Sequence, residues 1–347
     1  MNKLTNGQKI AIGVVSALVV AGLVGGGIYL ATRQGSNAPT TVVENNANTG
    51  NSSTALVDGE NKIKSGGTYT FTGSTSNGKI EVDTTEPVKI VLDNVSITNP
   101  SGAAIKCKEG SNVTVELVGE STLTSTDKGD SQNDPANVIS SDANLIMTGA
   151  GSATLTGNGK GIKADGDLTI EGGTYNINAP DDGLRADGKI TINGGNISIK
   201  NAAEGIEATN VVINGGTIYI EASDDGINAT NKSTNYSIAI EINGGEVTIV
   251  MGQGDTDAID SNGDLYINGG TLTITAQSPF DYDGTAKYTG GTMIINGQTT
   301  TEITNQFGGE MGGGMMMPGG QTPPEQSGQT QSGQAQGQTP PQQMTRR

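Results

Sequence analysis

The sequence predicts an all-β solenoid, a right-handed parallel β-helix with coils of about 21–25 residues. Three observations predict it. First, Gly161–Asp225 divides into three similar lines, GIKADGDLTIEGGTYNINAPDD, GLRADGKITINGGNISIKNAAE and GIEATNVVINGGTIYIEASDD, of 22, 22 and 21 residues. A β-rich unit of that length cannot bury its apolar side alone, so copies must stack. Second, the copies share a register around Gly-Gly. Ile170, Ile192, Ile213, Ile242 and Ile267 hold one position, and Ile177, Ile199, Ile220, Ile249, Ile274 and Ile295 another. Tyr175, Ile197, Ile218, Val247, Leu272 and Met293 hold a third, and polar residues alternate with them, the period of a strand with one buried face. Third, Asn193, Asn214, Asn243 and Asn268 recur directly before Gly-Gly, where stacked amides can bond to one another. The paired glycines mark a corner that needs positive φ or close backbone approach.

Taken in order, residues 1–9 carry Lys3 and Lys9 and read as a short cytoplasmic segment. Residues 10–31 contain no charge and are long enough to span a bilayer. The lysines before this stretch place the amino terminus inside, which makes it a signal anchor with the bulk of the chain extracellular. Secretion after signal cleavage is the alternative. Residues 32–54, rich in Asn, Thr, Ser and Gly, read as a disordered spacer. Residues 55–305 hold the β-helix, beginning with coils that alternate without Gly-Gly (KIEVD, VKIVLDNVSIT, NVTVELVG). Asp127–Pro135 reads as a polar loop, and the copy from Gly226 carries an insertion around Asn231–Asn235. The final copy stops after Asn296-Gly297, and Gln298–Asn305 is placed to cap it. Residues 306–347, of Gly, Met, Gln and Pro, have no periodicity and read as a disordered tail.

Composition excludes several functions. The formal charge of −17 argues against nucleic acid as a partner, and no nucleotide cofactor is expected. With no histidine, the usual zinc ligand and the usual general base are missing. One cysteine, Cys107, allows no internal disulfide and suits the inside of a coil. No tryptophan is present to grip neutral sugars. Tyr219 and Tyr266 fall on outward strand positions, as small platforms or as half-buried surface residues.

The acids gather at one corner. Before each Gly-Ile or Gly-Leu step lie Asp181, Asp182, Glu204, Asp224, Asp225, Asp255 and Asp257, with Asp281 and Asp283 at the same corner later. Just past the step lie Asp165, Asp187 and Asp260. Stacking sets carboxylates about 4.8 Å apart, a repulsive column that either splays into water or is bridged by a hard cation. Ca²⁺ suits such a column because it takes six to eight oxygens in flexible geometry. Asp-Gly and Asp-Asp-Gly are also ordinary turn sequences; recurrence at one coil position is what favours calcium. Lys163, Arg185 and Lys200 stand near, to pair with uronate carboxylates or to neutralise the acids.

DDGLRADGKITINGGNISI and DDGINAT…EINGGEVTI resemble the bacterial carbohydrate-binding β-helix family, which is similar in fold to family 9 polysaccharide lyases. The resemblance covers about Ala55–Asn296. It implies calcium at the acidic corner and binding to plant-wall polysaccharide, polygalacturonate and cellulose. It points to Asp181, Asp182, Asp187, Asp224, Asp225 and Asp257 as ligands; Thr209 and Thr230 replace the acid at the Asp165/Asp187 position, so fewer ions than coils are expected. The leading expectation is a cell-surface module that binds acidic polysaccharide through Ca²⁺. A pectate lyase of the same fold, with Lys163, Arg185 or Lys200 as base, is the second reading, and a structural or adhesive surface protein the third. Ice binding fails on a broken threonine rank at Asn196-x-Ser198 and Thr217-x-Tyr219.

Overall fold

A computed structural model describes residues 29–30, 40–43, 53–108, 110, 112–130, 134–252 and 256–305. Among them every regular element is a strand, and no helix is long and apolar enough to cross a membrane. The strands stack as a parallel solenoid with three faces.

The first face is a twelve-stranded sheet whose order steps once per coil, from Thr40–Val43 through Gly59–Ile63 and Gly78–Val82 to Ser278–Tyr282. All its pairings are parallel except Tyr29–Leu30, which runs antiparallel to Thr41–Val42. The second and third faces form two ladders. One runs through Asn112–Leu117, Lys189–Ile192 and Asp264–Ile267, the other through Glu120–Ser125, Asn196–Ala202 and Thr271–Thr275. The long strands Gly67–Thr75 and Pro87–Asn99 belong to both, bending at Gly73 (φ 84°) and Asn94 (φ 53°), where the register shifts.

The three sequence columns are columns in space. Ile170, Ile192, Ile213, Ile242 and Ile267 pair in succession, as do Ile177, Ile199, Ile220, Ile249, Ile274 and Ile295. Burying one such aliphatic side chain contributes about 1.5–3 kcal/mol. Identical neighbours above and below leave no mismatch in volume along the column. Tyr175 enters the third column and keeps its phenol satisfied inside the coil by donating to the Gly172 carbonyl at 2.9 Å. Cys107 is fully buried, and burial pushes its thiol up to about 12.

The second glycine of each pair adopts the left-handed region, as at Gly216 (φ 93°) and Gly245 (φ 84°). A Cβ on Gly245 would come within 2.8 Å of the Gly216 carbonyl oxygen, so conformation and space both require glycine. Beside it the asparagines form an unbroken ladder. Asn214 donates to Asn193 at 2.9 Å, Asn243 to Asn214 at 3.0 Å and Asn268 to Asn243 at 2.8 Å. Glu171 accepts from Asn193 at one end, and Thr289 donates to Asn268 at the other.

Two expectations change. Thr40–Val43 lies within the stretch read as a spacer, yet it pairs with Gly59–Ile63 and buries Thr41 and Val43. Its burial alternates, but TTVV sets its two valines side by side, without the polar/apolar alternation that marks a strand in sequence. Tyr29 and Leu30, at the end of the expected membrane helix, are in strand pairing. The rest of residues 10–31, and residues 306–347, lie outside the described residues. At the other end Gln298–Thr300 folds back antiparallel on Thr292–Ile295 through Asn296 (φ 52°) and Gly297 (φ 80°), an Asn-Gly hairpin that closes the last coil.

Candidate functional site

The acids owe their arrangement to the glycine at the coil step. A Cβ on Gly183 would lie 2.5 Å from Ile199 Cγ2 and 2.7 Å from the Gly205 carbonyl oxygen; the equivalent atom on Gly205 would meet Ile220 and Gly226 in the same way. The backbone at the step is pressed inward, followed by another inward residue, Leu184, Ile206, Ile227, Ile259 or Phe280, stacked in register. The residue before the glycine and the residue two after it are thereby left side by side on the outer surface. One outer column is Asp182, Glu204, Asp225, Asp257 and Ser278; the other is Lys163, Arg185, Glu207, Asn228, Asp260 and Asp281. Within a strand the columns touch: Arg185 donates to Asp182 at 3.4 Å and Asn228 to Asp225 at 3.1 Å.

The structure therefore brings Asp182, Glu204, Asp225, Asp257, Asp260 and Asp281 together. Asp181 and Asp224 fall one place earlier and are exposed. Asp281 pairs with Asp260 and not with the residues before the step, which corrects the expected register. Asp260 in turn aligns with Arg185, not with Asp187, because Asp187 stands beyond the strand end. Asp165, Asp187 and Asp283 share that later column, each donating its backbone N–H to the preceding coil, but Thr209, Thr230 and Asn262 separate Asp187 from Asp283. Thr209 has a task of its own. Its hydroxyl donates to the Asp187 carbonyl at 2.8 Å and accepts the backbone of Lys232 and Ser233, pinning the inserted loop. Asp255 lies outside the described residues.

Sequence reasoning passed over Glu207, Asn228, Lys160 and Lys232. The signal for the first two was an offset of three: Glu204 to Glu207 repeats Asp182 to Arg185 and Asp257 to Asp260. Lys232 was hidden by its loop, since only the fold returns it to Glu207.

The acidic face has two electrostatic zones. In the first, carboxylate oxygens of Asp182, Glu204 and Glu207 lie within 4.8 Å of one another. Cations are already there. Lys160 pairs with Asp181 and Asp182 at 2.7 Å, Lys232 with Glu207 at 2.8 Å, and Arg185 with Asp182, Asp187 and Glu207. Burial still pushes the Asp182 carboxyl up to about 6 against the pull of Lys160.

The second zone has no such partners. Among the described residues no lysine or arginine pairs with Asp225, Asp260, Asp281 or Asp283. Burial, then the charges of Asp260, Asp224 and Glu204, pushes Asp225 up to about 7. Burial, then Asp281, Asp257 and Asp283, pushes Asp260 up to about 6, and burial also raises Glu204. Three buried oxygens border this zone without a hydrogen-bond partner: Glu204 Oε2, Asn228 Oδ1 and Thr256 Oγ1. Asn228 is 8% exposed and Thr256 5%, so water does not readily satisfy them. Carboxylates without a lysine or arginine partner at Asp225, Asp260 and Asp281, an orphaned amide oxygen and an orphaned hydroxyl form a hard-oxygen donor set, which fits Ca²⁺.

The expected bases are engaged elsewhere. Lys163 pairs with Asp165, and Arg185 is held by three carboxylates. Lys200 belongs to the third face, its ammonium 5.5 Å from the centre of the Tyr219 ring. Tyr266 is half-buried, donates to Asp264 at 2.7 Å and lies 5.9 Å under Lys287.

A family model for carbohydrate-binding domain-containing proteins matches residues 57–296. A carbohydrate-binding domain-containing protein of Acetivibrio thermocellus is 33% identical over 129 residues, 35% of this chain and 45% of that relative. The match thus spans less than half of the relative's length. A solved structure of a polysaccharide lyase-like protein from C. thermocellum, a gadolinium derivative, is 27% identical with a TM-score of 0.45, over 76% of this chain and 95% of that one. The family match takes in both outer columns and most of the 347 residues, so the chain belongs to the carbohydrate-binding domain-containing protein family.

Proposed function

We propose that the second acidic zone takes up Ca²⁺, and that through it the first face binds an acidic polysaccharide of the pectin or polygalacturonate type. The observation that carries this reading is the trio of buried, unpartnered oxygens on Glu204, Asn228 and Thr256, in the coils where no described lysine or arginine pairs with Asp225, Asp260 or Asp281. Asp225, Asn228, Asp257 and Asp260 would hold the ion, with Glu204 and Asp281 beside them. When bound, the ion supplies the positive charge that offsets carboxylate repulsion and admits a uronate to a chain of net charge −17. The first zone, neutralised by Lys160, Arg185 and Lys232, serves as an internal staple.

This is a binding role. A lyase needs a cationic base free to take a proton beside the bound uronate, whereas Lys163 and Arg185 are ion-paired and Lys200 sits over Tyr219. The uncharged stretch ahead of the strand Tyr29–Leu30 would tether the solenoid to the outer side of a membrane, or be cleaved to release it.

The test is thermal melting of the full chain with Ca²⁺ and with chelator, each with and without polygalacturonate, and with cellulose as the uncharged comparison. A ligand at one hundred times its Kd stabilises the folded form by about 2.7 kcal/mol. Calcium is expected to raise the melting temperature, and polygalacturonate to raise it further only when calcium is present. No response to calcium would overturn the reading.

A further inference from the structure

The loop inserted around Asn231–Asn235 leaves a backbone group unanswered in the coil that follows it. Asp165, Asp187, Asn262 and Asp283 stand just past the outer strands of the first face, and each is followed by glycine. The Gly188 N–H donates to the Gly166 carbonyl at 3.0 Å, and the Gly284 N–H to the Gly263 carbonyl at 2.8 Å. In the coil before Gly263 the chain departs after Thr230 into the inserted loop, so the matching carbonyl is displaced. Among the described residues the Gly263 N–H has no acceptor. The Asn262 side-chain amide is exposed and has no partner either. Glycine is obligatory at 263, because a Cβ there would lie 2.1 Å from the Ile238 carbonyl oxygen.

A free backbone nitrogen beside a free side-chain amide can close a ring. The Gly263 nitrogen adds to Asn262 Cγ, the Cγ–Nδ2 bond breaks, and the nitrogen's proton leaves with the amide group as ammonia. Water opens the resulting succinimide at one of its two carbonyls. The product is aspartate, or the isomer whose main chain runs through the β-carbon. In sum, amide and water become acid and ammonia, with no oxidant or cofactor. Glycine favours the closure because no Cβ hinders its nitrogen.

Other Asn-Gly pairs are held out of this reaction. Asn214, Asn243 and Asn268 are locked in the ladder, and the N–H groups of Gly215, Gly244 and Gly269 donate to Ile192, Ile213 and Ile242 at 3.3, 3.3 and 3.2 Å. Asn296 accepts from and donates to the Ala276 backbone at 3.1 and 2.9 Å. Asn158 donates to the Asp127 carbonyl at 2.9 Å, and Gly78, after Asn77, is fixed in strand pairing with Gly59.

We propose that Asn262 is a site of spontaneous modification, where the folded chain exchanges an amide for a carboxylate. The corner accommodates the product, since Asp165, Asp187 and Asp283 occupy the same position in other coils. The new charge stands two residues from Asp260 and one coil before Asp283, and so enlarges the acidic zone. The inference rests on neither calcium nor sugar binding.

The experiment holds the full chain folded at mildly alkaline pH in water enriched in heavy oxygen, then follows each Asn-Gly peptide by mass after digestion. Heavy oxygen enters only where conversion occurs during the incubation. Asn262 is expected to convert about tenfold or more faster than Asn214, Asn243 and Asn268, which must first break two neutral hydrogen bonds. In denaturant the four should convert at similar rates. Asn262→Gln, whose longer side chain disfavours the ring, should abolish labelling at 262. Asn262→Asp should fold and elute from an anion exchanger with the aspartate product of the unsubstituted chain. No conversion of Asn262 in the folded chain, ladder asparagines converting as fast, or an Asn262→Asp chain that does not fold would each overturn the proposal.

Discussion

With calcium chelated, raising the pH from about 5 to about 8 is expected to destabilise the solenoid, and Asp225→Asn to remove much of that loss. Asp225 is 9% exposed, and burial followed by three neighbouring carboxylates moves it from its ordinary 3.8 to about 7. A carboxyl raised in the folded chain binds its proton more tightly there than in the unfolded chain. Stability therefore falls as the pH rises from the ordinary value to the raised one, and stays low above it. The full cost of ionising Asp225 is about 4 kcal/mol, of which about 3 develops above pH 5. Asp182 and Asp260, raised to about 6, act in the same direction. Glu81 does not interfere. Burial opposes its ionisation, but bonds from Lys62, Lys79 and Lys108 outweigh burial and hold it at about 2. Its contribution is present above 4.5 and is lost only as the pH falls from there toward 2. The assay is thermal and denaturant unfolding at both pH values, with chelator and then with calcium. Calcium should restore stability at the higher pH in the unsubstituted chain and do less in Asp225→Asn. A chelated protein as stable at about pH 8 as at about pH 5 would refute the electrostatic account of the second zone.

Three further outcomes follow from the geometry. Arg185→Gln removes the shared partner of Asp182 and Glu207, whose side chains are each 4% exposed, and should cost about 3 kcal/mol in chelator. Calcium should recover part of that loss, because the carboxylates of Asp182, Glu204 and Glu207 already lie within 4.8 Å; equal melting in calcium and chelator would count against it. Asn243→Ala breaks two exposed ladder bonds and should cost about 1 kcal/mol, whereas Gly245→Ala adds a left-handed alanine and a backbone clash and should cost more. Melting of the two variants ranks them, and the reverse order would refute the reading of the corner. Cys107 should react with a thiol reagent only on unfolding, since it is fully buried and its thiol is pushed up to about 12. Rapid labelling of the folded protein would contradict its place inside the coil.

The fold was legible because a solenoid writes its contacts as a repeat. Ile192 stacks on Ile170, and both sit the same distance before Gly-Gly, so counting along the chain predicts the pairing in space. The Asn ladder was legible for the same reason. Its two ends were not, because Glu171 and Thr289 break the repeat there and act through oxygens that only the structure aligns. The acidic corner was half legible. Asp182, Glu204 and Asp225 are marked by the glycine that follows them, and the sequence placed them together. The second column has no such flag. Its members are Lys, Arg, Glu, Asn, Asp and Asp in turn, so residue type does not mark it, and only an offset of three from the first column does. Asp281 was misplaced because Pro279 replaces the step glycine in its coil and removes the mark from which register was counted.

In the proposed reading, that changing column sets where calcium is taken up. The first column is acidic from Asp182 through Asp257, so by itself it would ask for a cation at every coil. The second column decides whether the cation comes from the protein. Arg185, with Lys160 and Lys232 beside it, answers the charge of Asp182 and Glu207 from within the chain. Two and three coils after Arg185 the same outward position holds Asn228 and Asp260, and the answer is withdrawn. Asn228 Oδ1 and Glu204 Oε2 then have no partner, and Asp225 is pushed up to about 7. Converting Asn228→Arg should therefore transplant the self-neutralised arrangement into the second zone. It should raise stability in chelator and abolish the gain from calcium, because a guanidinium there competes for the same oxygens. If calcium still stabilised Asn228→Arg as it does the unsubstituted chain, the ion would have to bind elsewhere, and the second column would not be the selector.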